Sequence, residues 1–195
     1  MTTELLRCDW TGGRELDIIY HDNEWGVPLH DDRKHFEFIL LDGFQAGLSW
    51  ATILKKRENF RIAFDNFSPE IIANYSQSKL DELMNNAGII RNKLKISSSV
   101  TNAQKFLDVQ KEFETFDNYI WQFVGRKTIT NSWKSMKEIP VRTAESDAMS
   151  KDLQKRGFKF VGSTICYAYM QAAGMVNDHR VDCFRYKELT SFAQN

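Results

Sequence analysis

The hydrophobic residues of this chain recur at intervals of three and four positions over most of its length. Phe36, Ile39 and Leu40 follow the acidic pair Asp31 and Asp32 with this spacing, which predicts a helix starting near residue 32. Strand-like alternation is nearly absent, and residues 127–133 are interpreted as a loop or a short extended segment. Similar stripes predict helices near Ser49, Pro69, Leu80, Asn92, Tyr119, Ser146 and Ser163. The pattern therefore predicts an all-α fold of about eight helices.

Small polar residues and glycines predict where these helices begin and end. Ser68 is expected to cap the helix that starts at Pro69, and Ser78 with Asp81 has the spacing of a capping box. Gly88 is expected to end the helix that begins near Ser78, because glycine is common just after the last turn of a helix. Later in the chain, the predicted caps are Ser146 and either Ser163 or Thr164, and the predicted ends are Gly125, Gly157 and Gly174.

Length and composition predict one domain in a reducing compartment. The 195 residues suffice for a single domain with its own core, residues 1–195, or for two intimate helical subdomains. Three cysteines do not form a disulfide framework, and no stretch resembles a signal peptide or a membrane span, so we expect a cytoplasmic protein. The 26 basic residues equal the 26 acidic ones, so the net charge does not indicate nucleic acid, although a neutral total can contain a local basic face.

Two pairs of metal-binding residue types lie at opposite ends of the chain. Cys8 and His21 lie near its start, and His179 and Cys183, four positions apart, can share one face of a helical turn. Two thiolates and two imidazoles form a complete tetrahedral ligand set for Zn²⁺. Each pair alone also fits packed or solvated residues, and the spacing does not decide between the two readings. Cys166 lies in an apolar run and is expected in the core.

A connection between two predicted helices, residues 41–50, carries the residue types of a ligand pocket. Asp42 is expected at the end of an apolar helix and Trp50 at the start of the next. A carboxylate beside an indole can receive a flat, cationic heterocycle, which stacks on the ring while the acid balances its charge. The alternative is a core tryptophan and a solvated aspartate. Tyr20 and Trp25 bracket His21, so a metal at His21 would also hold these two rings.

The segment from Gly88 to Lys93 predicts a hairpin of two helices with basic residues just after the turn. Such a turn can present backbone N–H groups and charge to a phosphate of one DNA strand without reading sequence. Arg91, Lys93 and Lys95 add positive charge there. An ordinary helix connection with a solvated face explains the same residues. The clusters at residues 55–57 and 155–159 are weaker candidates of the same kind.

Several longer motifs occur together and in order. They are Tyr-His-Asp-Asn-Glu-Trp-Gly-Val-Pro at residues 20–28, Gln-Ala-Gly-Leu-Ser-Trp at 45–50, Leu-Lys-Lys-Arg-Glu-Asn at 54–59, Ala-Gly-Ile-Ile-Arg at 87–91, Lys-Arg-Gly-Phe-Lys-Phe-Val-Gly at 155–162 and Val-Asn-Asp-His at 176–179. Together they resemble the DNA-3-methyladenine glycosylase I family of bacterial repair enzymes. The resemblance extends from Cys8 to Cys183.

The resemblance implies an all-α helix-hairpin-helix glycosylase that removes 3-methyladenine from alkylated double-stranded DNA and leaves an abasic site. It implies a monofunctional and monomeric enzyme whose base product is free 3-methyladenine. Tyr20, Trp25 and Trp50 would line the base pocket, with Asp42 as the catalytic acid. The implied ligands of a structural Zn²⁺ are Cys8, His21, His179 and Cys183. Candidate DNA contacts are the wedge residues Gly47 and Leu48 and the hairpin residues Gly88, Arg91 and Lys93.

Two positions depart from the family pattern. Asp42 stands where the family usually has glutamate, and Asp17 stands where some members have a pocket tyrosine. The shorter acid puts rate and selectivity in question more than the kind of reaction. The competing hypothesis is therefore a protein of the same fold that binds alkylated or abasic DNA with little or no turnover. A zinc hydrolase is a weaker alternative, because four protein ligands leave the metal no open position.

Overall fold

Within residues 5–192, which the computed structural model describes, the chain forms ten α-helices and one two-stranded sheet. Residues 1–4 and 193–195 of the predicted domain lie outside this range. The helices are α1 Glu15–Asn23, α2 Asp32–Gln45, α3 Trp50–Ala63, α4 Pro69–Ile72, α5 Gln77–Asn85, α6 Lys93–Phe113, α7 Phe116–Ile120, α8 Ala144–Arg156, α9 Ser163–Ala172 and α10 Phe184–Phe192. The strands are β1 Ile129–Thr130 and β2 Val176–Asn177.

Helix α2 is the centre of the molecule. Its N-cap is Asp31, whose carboxylate accepts from the Lys34 N–H over 2.9 Å. Every residue from His35 to Phe44 is buried, as expected for a helix that is covered on all sides. It packs against α3, α6, α7 and α9, so these four helices form the shell around it. The last turn of α2, which contains Asp42, therefore lies in the middle of the fold.

Aromatic rings fill much of the space around α2. The rings of Phe36 and Phe106 are 5.0 Å apart, and Phe106 stacks on Phe116 at 4.2 Å. On the other side, Phe44 packs against Phe60 of α3 at 4.7 Å. Pairs in these arrangements contribute about 0.5–1.5 kcal/mol each beyond the area they bury. The aromatic residues of the sequence are thus mainly core, and the functional ones are a minority.

The two ends of the chain are brought together by backbone contacts. Strand β1 pairs in parallel with β2, with Ile129 opposite Val176. Gly174, with φ +65°, precedes β2, and a Cβ at this position would lie 2.3 Å from the carbonyl carbon of Val27. The N–H of Phe184 donates to the carbonyl of Leu6 over 3.0 Å. These contacts place the segment before α1 beside the segment before α10.

Several predicted helix ends are wrong by one to three residues. Helix α5 is capped by Ser76, whose hydroxyl accepts from the Lys79 N–H, so Ser78 lies inside the helix. Thr143 caps α8 and Ser146 completes the capping box from the first turn. Helix α4 does begin at Pro69 with Ser68 at the N-cap, as predicted, but the Ser68 hydroxyl donates to Glu70 and makes no capping bond. Neither Ser163 nor Thr164 caps α9, which follows Gly162 without a side-chain cap.

The glycine predictions are partly confirmed. Gly125 and Gly157 follow their helices in the left-handed conformation, as predicted. Gly88 does not, because α5 ends at Asn85 and Gly88 has no positive φ. No helix among the described residues has the length and apolar character needed to cross a bilayer.

Candidate functional site

A cavity of about 340 Å³ opens at the end of α2. Tyr20 of α1 and Trp25 just after it form one part of the lining, and Trp50, the first residue of α3, lies 5.2 Å from Tyr20 between ring centroids. Asp42 also lines this cavity, so the structure brings together the four residues predicted for a base pocket. The remaining lining residues are Trp10, Gln45, Met136, Ile139, Ala168, Gln171 and Ala172.

Asp42 is a buried acid inside α2, and not a solvated one at its end. The helix continues to Gln45, and the side chain is only 2% exposed. Its Oδ2 atom is buried without a hydrogen-bond partner among the described residues. Burial raises the pKa of the Asp42 carboxyl well above its usual range, because ionisation inside the protein loses hydration. A cation placed in the cavity would restore part of that lost stabilisation.

Two indole N–H groups of the cavity also have no partner. Nε1 of Trp10 and Nε1 of Trp50 are buried and unsatisfied within the described part of the chain. An unsatisfied buried polar group costs about 1–3 kcal/mol, so such groups are rare without a function. Together with Asp42 Oδ2 they give the cavity two free donors and one free acceptor. Three residues of the cavity lining thus each carry a polar atom without a partner, and a hydrogen-bonding ligand could use these atoms.

Trp10 is a pocket residue that sequence reasoning missed. It packs edge-on against Trp25 at 5.2 Å and contacts Tyr20 at 6.2 Å between centroids. It lies in a short 3₁₀ turn, Asp9–Thr11, which has no hydrophobic periodicity to mark it. Its position two residues after Cys8 was the available signal, since a metal at Cys8 would fix it near Tyr20.

Cys8, His21, His179 and Cys183 converge on one point. All four are buried, and their ligand atoms lie within 4.8 Å of one another. Cys183 Sγ is 3.5 Å from His179 Nδ1 and 3.4 Å from His21 Nε2, and Cys8 Sγ is 3.7 Å from His179 Nδ1. His179 and Cys183 share a turn before α10, and not a helical turn as predicted.

The outer nitrogens of both imidazoles are already bonded. His21 Nδ1 lies 2.7 Å from Asp22 Oδ1, and His179 Nε2 lies 3.0 Å from the carbonyl oxygen of Trp25. A carbonyl only accepts, so His179 Nε2 carries the hydrogen and its Nδ1 presents a lone pair to the thiols. This arrangement of outer partners is the one that orients metal-bound histidines. The donor set and its orientation therefore fit a Zn²⁺ ion.

The basic cluster at residues 55–57 does not form a free cationic surface. The Arg57 guanidinium makes two 2.8 Å bonds to Glu24 and a third, of 2.7 Å, to the buried Glu37. This bridge ties the end of α1, next to Trp25, to α3, which begins with Trp50. Lys56 Nζ donates to the carbonyl groups of Ala87 and Gly88 at 3.1 Å each. Two of the three cations thus position the pocket and the hairpin.

The predicted hairpin between α5 and α6 exists, with residues 86–92 as its turn. Arg91 and Lys93 are exposed there. A Cβ at Gly88 would lie 3.0 Å from Asn86 Oδ1, so close approach explains this glycine better than helix termination does. Lys95 was wrongly expected to add surface charge. It is buried, and its Nζ donates to the carbonyl groups of Phe44 and Ala46 at 2.9 and 2.6 Å.

A second hairpin, between α8 and α9, has the features of a phosphate-binding turn. Gly157 ends α8 in the left-handed conformation, and α9 begins after Gly162 with no side chain on its first N–H groups. By contrast, Asn92 caps α6 with its own side chain. The backbone of Lys159 in this turn is held from both sides by Asn102, at 2.8 and 3.1 Å. From the sequence alone, the basic residues at 155–159 are a weaker candidate than the first hairpin.

Gly47 and Leu48 lie on the loop between α2 and α3, between the cavity residues Gln45 and Trp50. Gly47 has φ +82°, which favours glycine, and Leu48 is 41% exposed although it is apolar. Asp17 is buried in an ion pair with Arg14 and does not line the cavity. Asp17 therefore does not occupy the part of the cavity that Tyr20 lines.

Comparisons with known proteins identify the family of this chain. A family model described as methyladenine glycosylase matches residues 10–186. The chain is 49% identical over 180 residues to DNA-3-methyladenine glycosylase 1 of Escherichia coli strain K12, which covers 92% of this chain and 96% of that protein. It is 48% identical over 183 residues to the DNA-3-methyladenine glycosylase of Haemophilus influenzae, which covers 94% and 97%.

Solved structures give the same result. A crystal structure of a 3-methyladenine DNA glycosylase I superposes with a TM-score of 0.90 at 50% identity, over 92% of this chain and 98% of that one. The structure that describes 3-methyladenine recognition by the Staphylococcus aureus enzyme gives 0.88 at 31% identity, over 91% and 95%. The chain belongs to the methyladenine glycosylase family.

Proposed function

We infer that this protein is a DNA repair enzyme, a monofunctional DNA-3-methyladenine glycosylase. Its relatives carry that name, and they match it over nearly their whole length. The observation in the molecule that carries the inference is the aromatic cavity with three unpaired polar atoms, on Trp10, Asp42 and Trp50. A flat base with both donors and acceptors on its edge fits this set of groups.

We propose that Tyr20, Trp25 and Trp50 hold the base and that Asp42 recognises its charge. Methylation at N3 makes adenine cationic in DNA, and aromatic faces attract cations. The raised pKa of Asp42 favours the neutral acid in the empty cavity. A cationic base within a few ångströms would favour the carboxylate instead, so binding and ionisation are coupled. An uncharged adenine would gain no such electrostatic stabilisation, which supports selective binding of the methylated base.

The reaction requires little proton transfer to the leaving group. The bond between N9 of the base and C1′ of the sugar breaks with both electrons going to the base, which leaves as neutral 3-methyladenine. Water then adds its oxygen to C1′ and gives up a proton. The Asp42 carboxylate would stabilise the positive charge that develops on the sugar. Because the target must first leave the base stack, a lesion that stacks weakly is extruded at lower cost.

For the DNA itself, we propose that Leu48 and Gly47 fill the gap left by the everted nucleotide. Leu48 is an exposed apolar side chain on the loop between the cavity residues Gln45 and Trp50, and an intercalating wedge requires such a side chain. Gly88, Arg91 and Lys93 would contact phosphates, together with the uncapped start of α9. All of these residues would contact the DNA backbone or the stacked bases, so binding would not depend on the DNA sequence.

We further propose that Cys8, His21, His179 and Cys183 hold one structural Zn²⁺. Four protein ligands leave no position for water or substrate, so the ion would stabilise the fold and take no part in the reaction. Through His179 it would also hold Trp25 against the cavity. The chain would act as a monomer with residues 1–195 as one catalytic domain.

The experiment is a base-release assay with purified protein and duplex DNA methylated at N3 of adenine. Release of 3-methyladenine with formation of abasic sites is expected. Tight binding to methylated DNA without release would support the lesion-binding protein instead, and restored release in Asp42→Glu would identify the shorter acid as the cause.

A further inference from the structure

Asp178 organises one wall of the cavity, although it does not line it. The carboxylate is 1% exposed and accepts four hydrogen bonds. Its Oδ1 accepts from Asn131 Nδ2 and Trp133 Nε1, both at 2.7 Å, and its Oδ2 accepts from the Tyr167 hydroxyl at 2.6 Å and from Gln171 Nε2 at 2.8 Å. Every lone-pair direction of the carboxylate is therefore used by a donor.

Gln171 is the one of these four donors that lines the cavity. A carboxylate only accepts hydrogen bonds, so the Gln171 amide must turn its NH₂ group toward Asp178. Its carbonyl oxygen, Oε1, is then directed away from Asp178. No donor among the described residues bonds to Oε1, whereas the other end of the amide is held. Reversal of the amide would place two acceptors 2.8 Å apart, so this orientation cannot adapt to a ligand.

We propose that Gln171, oriented by Asp178, is a specificity-determining residue that selects bases with an amino group at C6. This inference rests on the function proposed above. A flipped nucleotide enters with its sugar at the mouth, so the edge of the purine farthest from the sugar faces the cavity floor. At that edge adenine carries an N6 amino donor, while guanine carries the O6 acceptor.

The amino group would then donate to Asp42 Oδ2 and Gln171 Oε1, which belong to two residues of the cavity lining. A guanine-type base would direct its O6 at one or both of these oxygens. It would lose a hydrogen bond, and the facing acceptors would also repel each other. Selection between adenine and guanine lesions would thus come from the far edge of the base. The positive charge that N3 methylation gives to either base would not distinguish them.

The test compares release of 3-methyladenine and 3-methylguanine from the same methylated DNA by the wild type and by Gln171→Met. Methionine keeps the length of the side chain and removes the carbonyl. We expect the ratio of the two kcat/KM values to fall about tenfold, the effect of one buried hydrogen bond, mainly through slower release of 3-methyladenine. Gln122→Met is the matched control, because Gln122 is exposed and outside the cavity lining, and it should leave the ratio unchanged.

Binding of the two free bases, measured by quenching of tryptophan fluorescence, provides a readout that does not depend on turnover. The same change in preference is expected for Gln171→Met. A variant that releases and binds both bases with the wild-type ratio would overturn the role of Gln171. If the wild type released no 3-methyladenine at all, the proposed function would fail instead, so the two failures are distinguishable.

Discussion

The Nε2–H of His179 donates to the backbone carbonyl of Trp25 over 3.0 Å. One ring of the Cys/His cluster therefore fixes the backbone of one wall of the cavity. The same imidazole packs edge-on against the Trp25 indole, at 4.6 Å between centroids. A Cβ at Gly26 would lie 3.0 Å from His179 Nε2, so the chain can pass this close only with glycine there. The cluster and the cavity are therefore in direct contact, although they use different residues.

Replacing Cys183 with serine should remove the metal and destabilise the fold. We expect about one zinc ion per wild-type chain and almost none in Cys183→Ser, since serine is a poor ligand for Zn²⁺. The unfolding free energy should fall by several kcal/mol because metal binding is part of the folding energy. Metal analysis and urea denaturation measure the two effects. Cys166→Ala is the control, as Cys166 is buried outside the cluster, and equal zinc in all three proteins would refute the site.

Asp42→Asn should lower base release about a hundredfold, the scale of losing one electrostatic contact to a transition state. Asparagine keeps the shape and loses the charge. Asp42→Glu, which restores the usual acid of the family, should retain activity. Single-turnover release from methylated duplex DNA is the measurement. A fully active Asp42→Asn would remove this residue from the reaction.

The pH dependence of the same reaction should reveal the buried acid. If the carboxylate is the active form, kcat/KM falls as pH drops through the pKa of Asp42 in the free protein. Burial raises that pKa, so the acidic limb should lie above the ordinary aspartate value of about 3.9. The residual activity of Asp42→Asn should lack this limb. A limb of equal position in both proteins would assign it to another group.

The stability of the folded protein should also depend on Asp42. Above about pH 3.9 the unfolded chain has released the proton that folded Asp42 still holds, so the unfolded state binds fewer protons. Wild-type stability therefore falls as pH rises toward the raised pKa of the folded state, at up to about 1.4 kcal/mol per pH unit. The stability of Asp42→Asn should not fall in this way, because asparagine does not titrate. The advantage of this variant in urea denaturation should grow with pH over this range, and a constant difference would contradict the buried, unpaired acid.

Arg91→Ala and Lys93→Ala should each weaken binding to undamaged duplex DNA. Removal of one phosphate contact reduces the slope of log K against log salt by about 1. Affinity for free 3-methyladenine should not change, because neither residue lines the cavity. Lys111→Ala is the control, since Lys111 is exposed on the same helix, about 27 Å from Lys93. Unchanged slopes for Arg91 and Lys93 would transfer the phosphate contact to the α8–α9 hairpin.

Trp10→Phe should weaken binding of the base without the loss of stability that is usual for a core substitution. If the unpaired Nε1–H bonds the base, affinity for 3-methyladenine should fall about tenfold. Phenylalanine also removes a buried, unsatisfied donor, so the unfolding free energy should not fall by the amount usual for a core change and can rise. Equilibrium binding and urea denaturation separate the two effects. Unchanged affinity would mean that Trp10 serves only to pack Trp25.

Most of the helices could be predicted from the sequence, because helical hydrogen bonds and apolar stripes both repeat over four residues or fewer. The starts of α2 and α3 were predicted from Asp31 and Ser49, and both side chains cap their helices. Where two cap residues lay close together, as with Ser76 and Ser78, spacing did not decide between them. Gly88 shows the same limit, since its role depends on Asn59 of another helix.

The residue types of the site could also be read from the sequence. Two thiols, two imidazoles, an acid and several aromatic rings are properties of the chain itself, and the motifs that carry the family resemblance are continuous in it. Only tertiary structure decided that Cys8 meets Cys183, that Trp10 joins the cavity, and that Lys95 is buried on the carbonyl groups of α2 while Arg91 stays exposed. These outcomes depend on packing between segments distant in sequence, and no local spacing encodes which buried group remains unpaired.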